Sequence, residues 1–436
     1  MKLTSERRGG ESSPPRCLSG FNRHAADLRE SFRIMTRPPH IVFAGGGSAG
    51  QLYPGLAIGA HVVERMPEAA ITFVGSGKAM ERHAVRAAGF AYVNLPSQPA
   101  PQGPLRAVRF VTDNVAGYWA SRWFLKERKV SLVVGLGGYA SAATVRAASA
   151  RGIPTVLLEQ NAVPDRATRW LANTATAVCA GFDQTRTYFG SHVPLTVTGN
   201  PARPAFERYS RRLQAEPAIR IYRGETAETT SHSEAIGATD TTPPSGCDKR
   251  MIVIGGAGGA RTLNQFMPRA LQRLGDALAG WQIIHQTGEG QLQETERLYR
   301  TAGLDALVVS YIDEMAPVMF ESDLVVCRAG GTTLAELALA GVPAVIVPHP
   351  FAADGYQMAN AKIFAGRGAA TIIDETTLSG TFDEALVDRL RPLILDEATR
   401  GEMAAKMRLL AQPNAASQIT DTIHSIVCRS ARRIAA

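Results

Sequence analysis

Cysteine is scarce and unpatterned in this chain. Only Cys17, Cys179, Cys247, Cys327 and Cys428 occur among 436 residues, with no C-x-x-C pair. An odd, scattered set excludes a disulfide framework, argues against a structural zinc and suits a reducing compartment. The nine histidines include no H-x-x-x-H, and no D-x-D occurs, so a dedicated metal site has no support in the sequence. Apolar runs of about 18 residues, the length a membrane-spanning helix needs, are also missing. Residues 1 to 40 carry many charges and prolines without an apolar segment, and do not read as a secretory leader. What remains is length enough for two or three full cores and a hydrophobic content of 45%, which is globular. The net charge is +8. It favours an anionic partner such as a phosphate ligand, nucleic acid or acidic lipid, though a merely soluble basic surface carries the same charge.

Residues 1–37 read as an extension outside the fold, with Met35 an alternative start. Beyond them, short apolar runs alternate with helical segments. "HIVFAG", "AITFVG", "SLVVGLG", "TVLLEQN" and "LTVTGN" have the length and composition of buried parallel strands. A second series follows: "RMIVIGG", "WQIIHQTG", "ALVVSYI", "DLVVCRAGG", "PAVIVPHP" and "ATIID". Between the series, 211–250 is rich in Thr, Ser and Pro and reads as a flexible surface insertion. The expected fold class is α/β, with doubly wound domains over 38–200 and 201–410 and a terminal helix in 411–436. Such sheets bind ligands outside the carboxyl ends of their strands, so two of them facing each other enclose a cleft.

Three strand ends carry glycine clusters: "GGGSAG" at 45–50, "GLGGYASAA" at 135–143 and "GGAGGAR" at 255–261. Glycine allows positive φ and close backbone approach, and the following helix points unpaired N–H groups back at the turn. One such turn is equally explained by tight strand–helix packing; three of them point to a phosphate or diphosphate. None is followed by G-K-[ST], and "GGGSAGQLYP" lacks the acidic ribose partner of a dinucleotide fingerprint, which disfavours a nicotinamide dehydrogenase.

The densest cluster is "CRAGGTTLAELALAGVPAVIVPHPFAADGYQMANA" at 327–361. Gly330 and Gly331 make a turn, and Thr332 and Thr333 are expected to cap the helix that follows. Glu336 is expected in that helix's first turn, where it either complements the dipole or accepts bonds from vicinal ribose hydroxyls. Asp354 and Gln357 are placed to read sugar hydroxyls, with helix capping the alternative for Asp354.

At this cluster the chain resembles the MurG family, transferases that move N-acetylglucosamine from UDP-N-acetylglucosamine to lipid I, giving lipid II for peptidoglycan. The shared stretches run in order through about residues 39–430: "GGGSAGQLYP", "GLGGYAS", "LLEQNAVP", "TGNPARP", "IGGAGGARTLN", "HQTGEG", "YIDEMAPVMFESDLVVCRAGGTTLAE" and "AADGYQMANA". The resemblance implies a GT-B fold, two Rossmann-like domains facing a cleft. The first would face acceptor and membrane, and the second would bind the UDP-sugar. It implies Ser48, Ala49 and Gly50 beside the donor sugar and diphosphate, Asn161 on the sugar and Arg203 on a phosphate. Ile312 would meet the uracil through its backbone, and Gln357 the sugar hydroxyls. Gly331, Thr332, Thr333, Leu334, Ala335 and Glu336 would hold diphosphate and ribose. Arg203 and Glu336 are thereby candidate catalytic residues, together with Gln51. Two positions depart from the family. Gln51 stands where relatives carry His and cannot act as a general base; Ala257 stands where they carry Ser, leaving only its backbone N–H for the ligand.

The implied partners are UDP-N-acetylglucosamine, lipid I, an anionic membrane surface and other cell-wall synthesis proteins, with no nucleic acid and no resident cofactor or metal. The implied location is peripheral, on the cytoplasmic face of the bacterial inner membrane, in a pathway serving cell shape and division. Trp119 and Trp123 share a helical face within 105–129, beside Phe124 and Leu125, among Arg106, Arg109, Arg122, Lys126, Arg128 and Lys129. That is the composition of an interfacial helix, with Trp119, Trp123, Phe124 and Lys126 at the lipid. Two other functions remain open here: another UDP-sugar lipid glycosyltransferase, and a nucleotide-sugar-binding homologue of weak activity.

Overall fold

A computed structural model describes residues 37–99, 104–215, 247–256 and 258–435. Residues 1–36 of the expected extension and 216–246 of the expected insertion lie outside them. The first domain runs β1 (His40–Ala44), α1 (Ala49–Arg65), β2 (Ala70–Gly75), α2 (Ala79–Ala87), β3 (Ala91–Asn94), α3 (Pro104–Glu127), β4 (Leu132–Gly135), α4 (Tyr139–Ser149), β5 (Thr155–Glu159), α5 (Arg166–Leu171), β6 (Ala177–Ala180) and β7 (Leu195–Val197). Its seven strands lie in the order β3-β2-β1-β4-β5-β6-β7, all parallel, with Val42 opposite Thr72 on one side and Val133 on the other.

The second domain opens with α6 (Pro204–Ala215) and resumes at β8 (Lys249–Ile254), α7 (Arg261–Leu274), β9 (Trp281–Gln286), α8 (Leu292–Thr301), β10 (Leu307–Val309), α9 (Met315–Phe320), β11 (Leu324–Cys327), α10 (Gly331–Ala340), β12 (Ala344–Ile346), α11 (Tyr356–Gly366), β13 (Ala370–Ile372), α12 (Phe382–Leu395) and α13 (Glu397–Arg408). Its six parallel strands are ordered β10-β9-β8-β11-β12-β13. The insertion read at 211–250 is therefore narrower among the described residues. Helix α6 runs on through Ala215, and β8 has begun by Lys249.

Each sheet buries both faces, as alternate residues of a strand require. On β1, Ile41 and Phe43 pack with Leu52, Leu56 and Val62 of α1, while Val42 and Ala44 point into a second cluster with Val133 and Val145. Phe124 and Leu125 belong to that second cluster, at 6% and 1% exposure. Phe124 is thus a core residue, not a membrane contact, because the face of α3 that carries it lies against the sheet. A last helix, α14 (Ala415–Ala435), returns to the first domain, where Ala416, Ile419 and Ile423 join the core under α1. Two strands escape the sequence reading: β3, which is only half buried, and β6, whose "AVCA" is too short and alanine-rich to stand out.

In each sheet the strand order reverses once, between β1 and β4 and between β8 and β11. The three glycine clusters and the Gly330–Gly331 turn all follow those four strands. The two domains also meet through side chains behind the cleft. His61 of α1 bonds to Glu207 of α6 at 2.8 Å, and the hydroxyls of Tyr53 and Tyr311 lie 3.1 Å apart. The bond to Glu207 raises the His61 pKa above its ordinary value, against the opposing effect of burial. A raised histidine stabilises the fold fully below its unfolded pKa, and the gain is lost as pH climbs through the folded value. The parent should therefore exceed His61→Gln in melting temperature most at about pH 6 and least near pH 9. A gap that holds constant over this range would show that the pair contributes no charge-dependent stability.

Candidate functional site

The turn after β1 is braced from below by a buried carboxylate. Glu81, fully buried on α2, accepts from the N–H of Gly47 at 2.6 Å, from the N–H and hydroxyl of Ser76 at 2.9 and 2.7 Å, and from the Tyr92 hydroxyl at 2.7 Å. Burial works to raise its pKa, but these bonds outweigh it and hold the carboxyl below the ordinary range. Lys78 closes the same turn by donating to the Gly47 carbonyl at 2.6 Å. No motif points to Glu81; a lone Glu six residues past a strand carries no signal.

Gln51 ties this turn to the next. With its amide oriented so that both ends find partners, its nitrogen donates to the Gly46 carbonyl and its oxygen accepts from the Gly138 N–H at 3.2 Å. Gly138 has φ +71°, and a Cβ there would meet the Gln51 amide at 2.7 Å, so the close approach depends on glycine. The same Gly138 N–H donates to Asp165 Oδ2 at 2.7 Å. Asp165 Oδ1 accepts from the Thr168 N–H at 2.6 Å, capping α5. Asp165's own N–H donates to Glu159, whose carboxylate also accepts from the Asn161 backbone at 3.0 Å. Burial, and after it the charge of Asp165, pushes the Glu159 pKa up to about 8. No spacing within "LLEQNAVPDR" singles out either acid.

Across the cleft, α10 starts at Gly331 with Gly330 as its N-cap and no side-chain cap. The expected threonine caps are not made. The Thr332 hydroxyl instead donates to the Gly50 carbonyl at 3.0 Å, joining the two domains. Helix α10 therefore keeps first-turn N–H groups and a positive dipole end facing the first domain's glycine turns. Gly331 itself rests against the Gln160 carbonyl, where an added Cβ would lie 2.3 Å from that oxygen. Beside it is Asn200, 6% exposed, whose amide makes no bond at either end among the described residues.

Glu336 lies in the second turn of α10, not the first, and is 3% exposed. It is gripped by Arg203, with Nε and Nη2 donating to its two oxygens at 2.6 and 2.8 Å. The guanidinium also packs over the rings of Tyr53 and Phe206. The two candidate catalytic residues of the second domain thus form one bidentate pair. Each carboxylate oxygen keeps acceptor capacity, and Arg203 keeps Nη1 without a partner among the described residues.

The remaining expected contacts divide. Ser48, Gly50, Gln51, Asn161 and Gly331 line one cavity of about 980 Å³. Asn161 also bridges the domains, accepting from Asn360 at 3.0 Å. The Ile312 N–H donates to Gln286 at 3.1 Å. Gln357 fixes two loops, its oxygen accepting from the N–H groups of Ala329 and His349 at 3.2 and 2.8 Å. Thr333 and Ala335 are half buried. Leu334 departs from its expected role: its side chain is wholly buried in the second core and its N–H is bonded to Gly330. Ala49 is half buried outside the cavity lining, and Ala257 lies outside the described residues. Asp354 does not cap α11, whose N-cap is Gly355; it lines the cavity and pairs with Arg166 and Arg169 of the first domain. At its far end the cavity reaches Val111, Val115, Trp119 and Trp170, which are 51 to 62% exposed.

The chain matches the description "Glycosyltransferase family 28 N-terminal domain" over residues 41–180 and "Glycosyltransferase family 28 C-terminal domain" over 250–419. It is 34% identical to the UDP-N-acetylglucosamine--N-acetylmuramyl-(pentapeptide) pyrophosphoryl-undecaprenol N-acetylglucosamine transferase of Geobacter sulfurreducens, covering 87% of this chain and 97% of that relative. The protein of the same name from Myxococcus xanthus is 32% identical, covering 87% and 91%. Among solved structures, MurG of Acinetobacter baumannii superposes with a TM-score of 0.65 at 28% identity, over 89% of this chain and all of that one.

Gly331→Ala tests the closeness of the two turns. Its Cβ has to push the Gln160 carbonyl away, a steric penalty of about 1–3 kcal/mol. We expect a lower melting temperature and a larger radius of gyration by X-ray scattering. A variant with parental values in both would mean that the domains do not rest on this contact.

Proposed function

This chain belongs to the MurG family, and from that membership we propose that it transfers N-acetylglucosamine from UDP-N-acetylglucosamine to the 4-hydroxyl of N-acetylmuramic acid in lipid I, with inversion, releasing UDP and lipid II. The observation that carries this reading is the juxtaposition across the cleft: the uncapped start of α10 faces the Gly50 turn, with the Arg203–Glu336 pair behind it. Uncapped N–H groups suit a diphosphate. Glu336, oriented by Arg203, is the ribose acceptor in this reading, and Arg203 Nη1 serves a phosphate. Charge growing on the leaving diphosphate is met by the helix start and the guanidinium, so the mechanism we propose calls for no resident metal. Gln51 acts here as the strut between the two glycine turns, a positioning residue, and turnover does not require an ionising group at its position.

Purified protein should convert lipid I to lipid II with UDP-N-acetylglucosamine, and Glu336→Ala should weaken UDP binding by about 1.5–3 kcal/mol, the range for hydrogen bonds to a charged group. No turnover by the parent would reject the transfer reading; unchanged UDP affinity by calorimetry would reject the role of Glu336.

We further propose that the first domain sits on an anionic membrane surface on the cytoplasmic side. No described helix is long and apolar enough to cross a membrane. Trp119 and Trp123, 62% and 65% exposed, follow Val111 and Val115 at four-residue steps along α3, with Lys126 exposed beside them. Indole beside ammonium suits the headgroup region, and the cavity opens beside this stripe, where a lipid-linked acceptor would enter. Trp119→Ser with Trp123→Ser should reduce sedimentation with anionic vesicles while UDP affinity holds. Added salt should weaken the parent's binding by screening the basic residues. Sedimentation equal to the parent's would remove α3 from the membrane contact.

A further inference from the structure

Forming the glycosidic bond releases the proton of the acceptor hydroxyl, and no histidine lines the cavity to receive it. Two carboxylates do, Asp165 and Asp354. Asp354 is neutralised by Arg166 and Arg169; the Arg166 bond leads in holding its pKa below the ordinary value. Asp165 has no cationic partner among the described residues. Each of its oxygens accepts one backbone N–H, from Gly138 at 2.7 Å and Thr168 at 2.6 Å, and each keeps acceptor capacity. It is fixed where the reaction is expected, since it shares the Gly138 N–H with Gln51, one residue from the Gly50 carbonyl that meets Thr332.

Resting on the transfer reading above, we propose that the Asp165 carboxylate is the general base. It takes the proton of the acceptor's 4-hydroxyl while that oxygen bonds to the anomeric carbon of N-acetylglucosamine. The bond from that carbon to the β-phosphate oxygen breaks, UDP leaves with the electron pair, and the carboxylic acid then releases its proton to the open cleft. Glu159, beneath it, supports the assignment. Burial and its acidic neighbour push its pKa up to about 8, which disfavours a second negative charge beside Asp165. The other charged or titratable groups lining the cavity are Tyr118, Tyr139, Arg146, Arg166 and Tyr356.

Asp165 also caps α5, so the test has to separate capping from catalysis. Asp165→Ser keeps a capping oxygen, and Asp165→Asn keeps the shape. Both should lower kcat for lipid I turnover by about 10²–10⁴-fold, the usual share of general-base catalysis, with UDP affinity and melting temperature held. Formate, a carboxylate small enough for the vacated space, should partly restore the rate of the Ser variant. Variants that keep the parental kcat would overturn the inference. So would a loss confined to UDP affinity or melting temperature and unmoved by formate. A parent that makes no lipid II overturns the transfer reading and this one with it; an active parent with active variants overturns this one alone.

Discussion

Gly331 of the second domain lies against the Gln160 carbonyl of the first, at a distance no other residue tolerates, and the Thr332 hydroxyl next to it reaches the Gly50 carbonyl. The cleft is organised around this meeting of two backbones. It brings the start of α10 up to the turn after β1, two features that each sheet by itself leaves facing solvent. With the domains closed in this way, side-chain contacts such as Asn161 with Asn360 and Asp354 with two arginines fall into place around the rim.

A second constraint works inside the first domain. Its glycine turns would be slack without anchors, and the anchors are carboxylates bonded to backbone N–H groups: the buried Glu81 under Gly47, the half-buried Asp165 under the turn after β4, and the buried Glu159, which holds the Asp165 N–H in turn. Anionic groups beneath a site expected to hold a diphosphate look misplaced, but their charges are spent on the N–H groups that shape the turns. For Glu159, burial and then the charge of Asp165 also push the pKa up to about 8, against the pull of its hydrogen bonds.

The sequence displayed the fold through its punctuation. Eleven of the runs read as strands, from "HIVFAG" to "ATIID", are strands in the two sheets, and the glycine clusters lie at the reversals of strand order. Strands β3 and β6 were illegible because half-burial and alanine erase the apolar run. The site was legible where a motif is contiguous, as in 327–361, and illegible where partners come from afar. Glu336 read as a dipole partner or ribose ligand with no sign of its ion pair, because Arg203, its partner, is 133 residues away. The ion pairs of Asp354 were hidden because its arginines belong to the other domain. Phe124 read as lipid-facing because a helical face shared in sequence says nothing of which side meets the sheet.

Helix α14 gives the first domain two ends, one on each side of the second domain in the chain. The backbone therefore crosses between domains twice, once after β7 and again before α14. The crossings run side by side: a Cβ on Gly199 would lie 2.5 Å from the Cβ of Gln412. Two adjacent tethers restrict the relative rotation of the domains more than a single tether would, which keeps the Gly50 turn and the start of α10 in register. The same arrangement orders synthesis. The ribosome completes the second domain before it releases the helix that finishes the first, so the half of the protein made first is the last to acquire its full core.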